Sequence, residues 1–384
     1  MSTPVNTIDG PREMLPREYD ETLDLMEQAY GSTREYSLNS YPQLRRENFA
    51  FKNHFVIREG GRLVSHVGLY PMEAIADNDR ISVGGIGDVA SHPDCQGKGY
   101  MVKLLDYSLQ KMRERKIPLS ILWGDTQRYR RFGWETAGRE IVFNLTKRSA
   151  RDAATGKDFI FRGYGGREIK DLERIMEIHE REPLRIKRSS RDYKMIFNSI
   201  RFQTWMGHAR GEWVYAAVNN GDVLEFGGEA SRLAGLFALL VNRRQADNLQ
   251  VHVPYKDSEL LRMLYKISDG WRTVPLGMIK IVDLRRTLLS FKGRFCEKAR
   301  LHRLDTKNLP ALEMTDSRQI ADLIVGPDMK TAKKRRAKIS LSDIEMVRLL
   351  FGATPEQFAA SKEQERLFTG LFPLDFYLPT LDRV

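Results

Sequence analysis

The sequence predicts a mixed α/β (α+β) protein built from more than one domain. Three observations carry that expectation. A helix, an antiparallel meander and a strand–loop–helix–strand unit follow one another between Met14 and Leu145. A similar order of elements returns after residue 151, and from about Asp283 the pattern changes to helices with clear start signals. A chain of 384 residues also exceeds the roughly 100–200 residues of one typical domain.

In the first segment, Leu15, Tyr19, Leu23, Met26 and Tyr30 recur at helical spacing and predict a helix over 14–30. Phe51 to Arg58 and Leu63 to Ile75 read as strands joined at Gly60-Gly61, and Asp77-Asn78-Asp79 turns the chain into a further strand, Ile81 to Ala90. After a glycine-containing loop, Met101, Leu104, Leu105, Leu109 and Met112 mark the apolar face of a helix over 100–115. Pro118 then separates it from a buried strand, Leu119 to Trp123, and Ile141 to Leu145 is the last strand of the unit.

The polar stretch at Arg151 reads as a linker. Beyond it come a strand at Phe159 to Phe161 and a helix at Ile169 to Glu180. A hairpin of Trp213 to Val218 and Val223 to Gly227 turns at Asn219-Asn220-Gly221. A helix (Leu233 to Val241), a strand (Leu249 to Val253) and a helix (Ser258 to Ile267) complete what reads as a degenerate second copy. The implied domains are 1–150, 151–284 and 285–384. In the third, few β-patterned runs stand between Glu297 and Leu341. Ser342 with Glu345 forms a capping box, and Thr354-Pro355 with Gln357 reads as a second helix start. The apolar, proline-punctuated end from Leu371 to Val384 is expected to dock on the body.

Composition narrows the function classes. There are 62 Lys+Arg against 51 Asp+Glu, a formal net charge of +11. Residues 1–150 are nearly neutral, so the later segments supply the excess. The run from Lys330 through Arg335 and Arg336 to Lys338 lacks the aromatic or helix-turn-helix company of a nucleic-acid site and reads as a solvated loop, so no nucleic-acid partner is expected. No stretch of eighteen apolar residues is present, so no membrane-spanning helix is expected. Met1 to Tyr30 lacks a signal-peptide pattern, and the expected location is cytoplasmic. Cys95 and Cys296 are too few for a disulfide framework or a Cys-rich metal site.

The loop Val89-Ala90-Ser91-His92-Pro93-Asp94-Cys95-Gln96-Gly97-Lys98-Gly99-Tyr100-Met101 ends a strand and opens an amphipathic helix. Unpaired backbone N–H groups at such a junction suit a phosphate or pyrophosphate. Gly97 and Gly99 permit close backbone approach, and Lys98 adds a positive charge. The spacing is neither a Walker loop nor a Rossmann fingerprint. A second motif follows the next strand: Trp123-Gly124-Asp125-Thr126-Gln127-Arg128-Tyr129-Arg130-Arg131-Phe132-Gly133-Trp134-Glu135.

Together these motifs resemble the GNAT acetyltransferases, in which Gln/Arg-x-x-Gly-x-Gly/Ala cradles the acetyl-CoA pyrophosphate. Gln96, Gly97, Lys98, Gly99, Tyr100 and Met101 occupy its places, with Met101 departing from the usual final residue. That departure, and the domain order, resemble the enhanced-intracellular-survival (Eis) branch: two GNAT-like domains and a small, helix-rich, sterol-carrier-protein-like third domain. The resemblance implies an acetyl-CoA-dependent N-acetyltransferase acting by direct attack of a small-molecule or peptide amine, without a metal, in a homo-oligomer. It places Val89, Ala90 and Ser91 against the pantetheine, Gly97 to Val102 (thus Tyr100 and Met101) on the pyrophosphate, and Gly124 and Asp125 beside the cofactor arm. Tyr129 falls on the general acid, and a phenol with an ordinary pKa near 10 keeps its proton for a departing thiolate. The carboxylate of the last residue, Val384, falls on the general base; Asp88, His66 and His92 are side-chain alternatives. The second copy lacks the Gln/Arg-x-x-Gly motif at Glu225 to Arg232 and the Tyr-x-Arg-Phe-Gly motif after Leu249 to Val253, and is expected to be non-catalytic. A CoA-binding sensor or scaffold without turnover is the alternative reading.

Overall fold

The structure, a computed structural model, describes residues 7–151, 153, 159–166, 169–242, 248–307, 309–325 and 336–383. Val384 and Lys330 to Arg335 lie outside the described residues. The N-terminal strands are β1 (Ile8–Glu13), β2 (His54–Glu59), β3 (Arg62–Ala76), β4 (Asp79–Ser91), β5 (Leu119–Leu122), β6 (Glu135–Ala137) and β7 (Glu140–Thr146). The central ones are β8 (Ile160–Gly163), β9 (Leu184–Ile186), β10 (Gln203–Ala209), β11 (Glu212–Asn219), β12 (Asp222–Gly227), β13 (Asn248–Pro254), β14 (Gly270–Val274) and β15 (Gly277–Ile281).

Two large mixed sheets result. The first has the order β1-β2-β3-β4-β5-β15-β6, with β9 pairing β3 off this path, and the second is β8-β10-β11-β12-β13-β7-β14. The orders match position for position, and in each the fourth and fifth strands are the parallel pair, β4 with β5 and β12 with β13. This is the duplication that the element order suggested. One feature was not legible in the sequence: the sheets exchange a strand. β15 inserts antiparallel between β5 and β6 of the first sheet, while β7 inserts between β13 and β14 of the second. A cut at residue 150 therefore leaves a strand of each sheet with the other segment.

The turns follow from local chemistry. Asn219 pairs with Asp222, and Asn220 and Gly221 both have positive φ (48° and 89°), the tight turn that Asn-Gly favours. Helices α1 (Tyr19–Tyr30), α2 (Arg34–Ser40), α3 (Tyr100–Glu114) and α4 (Thr126–Arg130) belong to the first unit, and α5 (Ile169–Arg181), α6 (Ser190–Phe197), α7 (Ala230–Asn242) and α8 (Glu259–Ile267) to the second. Leu104, Leu105, Leu109 and Met112 of α3 are buried against Phe55, Val67, Leu69 and Ile86 of the first sheet, and Leu233, Leu236, Phe237 and Leu240 of α7 repeat that packing on the second.

The third segment holds α9 (Leu284–Ser290), α10 (Lys292–Leu301), a small sheet of β16 (Ala311–Thr315), β17 (Ile320–Leu323) and β18 (Arg336–Ser340), then α11 (Asp343–Phe351) and α12 (Lys362–Leu371). Three short strands thus stand where few were expected, because their alternating burial is interrupted by charged, outward-facing residues. The Ser342–Glu345 capping box forms as read. The second proposed start gives only a short 3-10 turn, Pro355–Phe358; the Gln357 amide donates to the Thr354 hydroxyl instead of completing a box. The tail docks: Phe372, Leu374, Phe376, Tyr377 and Leu378 share one core with Ile81, Val83 and Ile121 of the first sheet.

Candidate active site

β4 and β5 pair only from Val83 to Gly85, although β4 runs on to Ser91, so the two strands part and open a notch. A bulge in β4 shifts the ladder to β3, with Asp88 at φ 50°, and leaves the Val89 carbonyl to accept from the Tyr30 hydroxyl at 3.0 Å. Its helical spacing puts Tyr30 on the apolar face of α1. The residue as a whole is half exposed, while its hydroxyl end is enclosed beside Val89 and Asp88. Burial, then Asp88, raises that phenol's pKa.

At the mouth of the notch is a cavity of about 690 Å³, lined by Val89, Ser91, Gln96, Gly97, Gly99, Tyr100, Met101 and Val102 together with Tyr30, Arg128 and Arg131. Gly99, at φ 77°, stands at the N-cap of α3 and offers no side chain. The first helical bond runs from Lys103 N–H to the Gly99 carbonyl at 3.2 Å, so the N–H groups of Tyr100, Met101 and Val102 have no partner within the helix. By contrast, α6, α8, α11 and α12 are capped by Ser189, Ser258, Ser342 and Ser361. A helix left uncapped beside two guanidinium groups is built for an anion.

Several expected residues sit elsewhere. Lys98 does not line this cavity; its ammonium is 2.8 Å from Glu59, and the positive charge at the cavity comes from Arg128 and Arg131. The Ala90 side chain is buried, while its backbone lies in β4 between Val89 and Ser91, which line the cavity. Asp125 caps α4 through Gln127 and Arg128 N–H (2.8 and 3.1 Å), and Gly124 lies flat under the Tyr129 ring, where a Cβ would come within 2.7 Å. Tyr129 is 7% exposed and meets Trp134 edge-on at 6.4 Å. Among the described residues its hydroxyl has no hydrogen-bond partner. Burial raises its pKa, Arg128 opposing and Asp125 adding, so the proton stays on.

A second cavity, of about 340 Å³, lies between β3, α6 and the tail. Tyr41, Tyr70, Met72, Met195 and Phe202 form much of its wall, and Leu381, Asp382 and Arg383 reach into it. The Tyr70 hydroxyl donates to the Asp88 carboxylate, whose pKa burial pushes up. His66 is buried between Asp88 O (2.8 Å) and His54 Nδ1 (3.0 Å), and burial lowers its pKa to about 4. His92 accepts from Asp94 N–H at the loop's turn. Both histidines serve the framework.

The tail is fixed by charge. Buried Arg188 bonds Glu225 on one side and Asp382 on the other, and Arg383 bonds Glu140 while its guanidinium lies 5.6 Å from the Trp123 ring. Nothing in the spacing of Arg188, Glu225 and Asp382 announces this triad; only the fold brings them together.

In the second unit the junction of β12 and α7 carries no open anion site. Gly228 N–H donates to Glu182 at 2.9 Å, and Ser231 and Arg232 N–H donate to Glu229 at 2.9 and 3.0 Å. The protein's own carboxylates fill the place of a phosphate.

Comparisons with known proteins agree with this geometry. Residues 11–137 match the family model described as an acetyltransferase (GNAT) domain. No curated protein matches the sequence. In fold, the chain is similar to a GCN5-related N-acetyltransferase from Kribbella flavida (16% identity, 99% of each chain covered, TM-score 0.71). It is also similar to one from Anabaena variabilis ATCC 29413 (13%, 98% of this chain and 100% of that one, TM-score 0.66) and to Eis1 from Mycobacterium abscessus (13%, 98% and 100%, TM-score 0.67). No helix among the described residues is long and apolar enough to cross a membrane. Residues 11–137 thus match a GNAT-type acyltransferase domain, in a chain that shares the fold of these three proteins over 98–99% of its length.

Proposed function

We propose that the protein is an acetyl-CoA-dependent N-acetyltransferase that moves the acetyl group directly onto a primary amine. The observation that carries this reading is the uncapped N-terminus of α3, open to a cavity flanked by Arg128 and Arg131, with an unbonded, protonated Tyr129 on α4, the short helix after the next strand. The pyrophosphate would rest on the α3 amides and the pantetheine would run along β4. Backbone amides of β4 would polarise the thioester carbonyl as its oxyanion develops. The amine, entering from the cavity beside Tyr70, attacks the carbonyl carbon; the C–S bond breaks and the Tyr129 proton passes to sulfur. Holding both substrates in one notch makes the attack effectively intramolecular.

The base in this reading is the terminal carboxylate of Val384. Its support is that Leu381, Asp382 and Arg383 line the acceptor cavity, with Arg383 beside Trp123. Asp88, with its carboxyl pKa raised by burial, is the second candidate. The test is thiol release from acetyl-CoA with a panel of primary amines. Tight acetyl-CoA binding without thiol release for any amine would favour a sensor.

A further inference from the structure

The second sheet has its own notch, where β12 and β13 part beyond Val223 and Val251. It holds a cavity of about 310 Å³ that nothing above uses. Its body is apolar, walled by Phe226, Leu233, Val253, Leu260 and Tyr377. The carboxylates at its surface are Glu182, Glu225, Asp257 and Glu259, against one lysine, Lys256, whose ammonium already sits 2.7 Å from Asp77. Arg188 is taken by Glu225 and Asp382, and Arg262 by Asp257. Negative charge is therefore in excess. Phosphate is excluded, because Glu182 and Glu229 occupy the junction's amides.

A second observation points to a ligand. His179, on α5, lines the cavity and is 2% exposed. Its Nδ1 is 2.7 Å from the Tyr193 hydroxyl, while Nε2, on the other side of the ring, is buried without a partner among the described residues. A buried nitrogen left unsatisfied is costly, so it calls for a partner. Burial lowers the His179 pKa to about 4, so the ring is neutral; in the tautomer whose Nδ1–H donates to Tyr193, Nε2 presents a lone pair. Glu182 spends one oxygen on Gly228.

We propose that this cavity is a second ligand site, taking a small apolar molecule that carries a protonated amine, with Glu182 as its counter-ion and His179 Nε2 accepting an N–H. The site is separate from the acetyl-CoA cleft, and the proposal stands whether or not the first unit transfers acetyl groups.

The probe is N,N-dimethylphenethylamine, a protonated tertiary amine that forms no stable amide, titrated into the full chain by calorimetry. Saturable binding is expected, weakened at least about tenfold (about 1.4 kcal/mol) by Glu182→Gln and by His179→Phe. Gln keeps a carbonyl for Gly228, so the junction retains its bond. Met195→Trp, which narrows the cavity beside Tyr70, should leave binding unchanged, and the neutral 3-phenylpropanol should bind at least about tenfold more weakly. No saturable binding, binding indifferent to Glu182→Gln, or loss in Met195→Trp alone would overturn the proposal. Should the variants fail to fold, the para-bromo probe soaked into wild-type crystals decides. Anomalous signal between Glu182 and His179 supports the site, and signal elsewhere or none refutes it.

Discussion

Arg188 donates to both carboxylate oxygens of Asp382, 3.0 Å from Nε to Oδ1 and 2.6 Å from Nη2 to Oδ2, and so ties the chain's end to the segment before α6. The same guanidinium holds Glu225 of β12. Removing it strands two buried carboxylates. We predict that Arg188→Leu lowers unfolding stability by about 3–5 kcal/mol, since an unpaired buried charge costs that much. Denaturant melts would show it, and a loss under about 1 kcal/mol would mean that the triad is solvated.

One guanidinium between two acids also sets a pH dependence. Burial raises the Asp382 carboxyl from 3.8 to about 6, Arg188 opposing it and Glu225 adding to it. The folded state then holds this proton more tightly than the unfolded chain. The stabilising increment is full below about pH 4 and is lost as pH rises to about 6, at most about 3 kcal/mol. The stability difference between wild type and Asp382→Asn should therefore favour wild type more at pH 4 than at pH 7. A difference that does not change with pH, or changes in the opposite sense, refutes the assignment.

Tyr129→Phe keeps the ring against Gly124 and Trp134 and removes only the hydroxyl. Turnover should fall by roughly 10²–10⁴ while acetyl-CoA affinity barely changes. Full activity in the variant would reduce Tyr129 to packing.

Gly99→Asp tests the anion site. A Cβ at Gly99 would meet nothing within 4 Å, so sterics within the protein are not the issue. The φ of 77° is costly for most side chains, and the carboxylate would face the amides proposed to hold the pyrophosphate. Calorimetry should show acetyl-CoA affinity down by at least about tenfold. An unchanged affinity in a folded variant would remove the loop from the site.

Adding residues after Val384 moves the terminal charge away from its proposed place. If that carboxylate takes the amine proton, activity should drop by roughly 10²–10⁴, with acetyl-CoA binding intact. A fully active extended chain would pass the role to Asp88 or to water.

The sequence made the repeated elements legible because period-two strands, the Asn-Asn-Gly turn and the α3 apolar face are local signals. The glycine loop was legible for the same reason. Arg128 and Arg131 were visible within a motif, but their direction toward the cleft, and the turning of Lys98 to Glu59, depend on how α4 and β2 pack. Tyr70 and Asp88 belong to different strands and meet only through the bulge. Arg188 and Asp382 are separated by most of the second and third segments, and no spacing rule reaches that far.

The exchanged strand has a consequence for how the chain is made. On the ribosome β5 and β6 emerge long before β15, which must lie between them, bonded through Met278 to Leu122 and Thr136. Until that strand arrives, the first sheet carries two inner edges with open N–H and C=O groups, surfaces ready to pair with any other strand. So the first unit cannot mature as it is synthesised, in the N-to-C order that separate domains follow. It waits for β15, so the sheet of the first unit closes only after the second has been made.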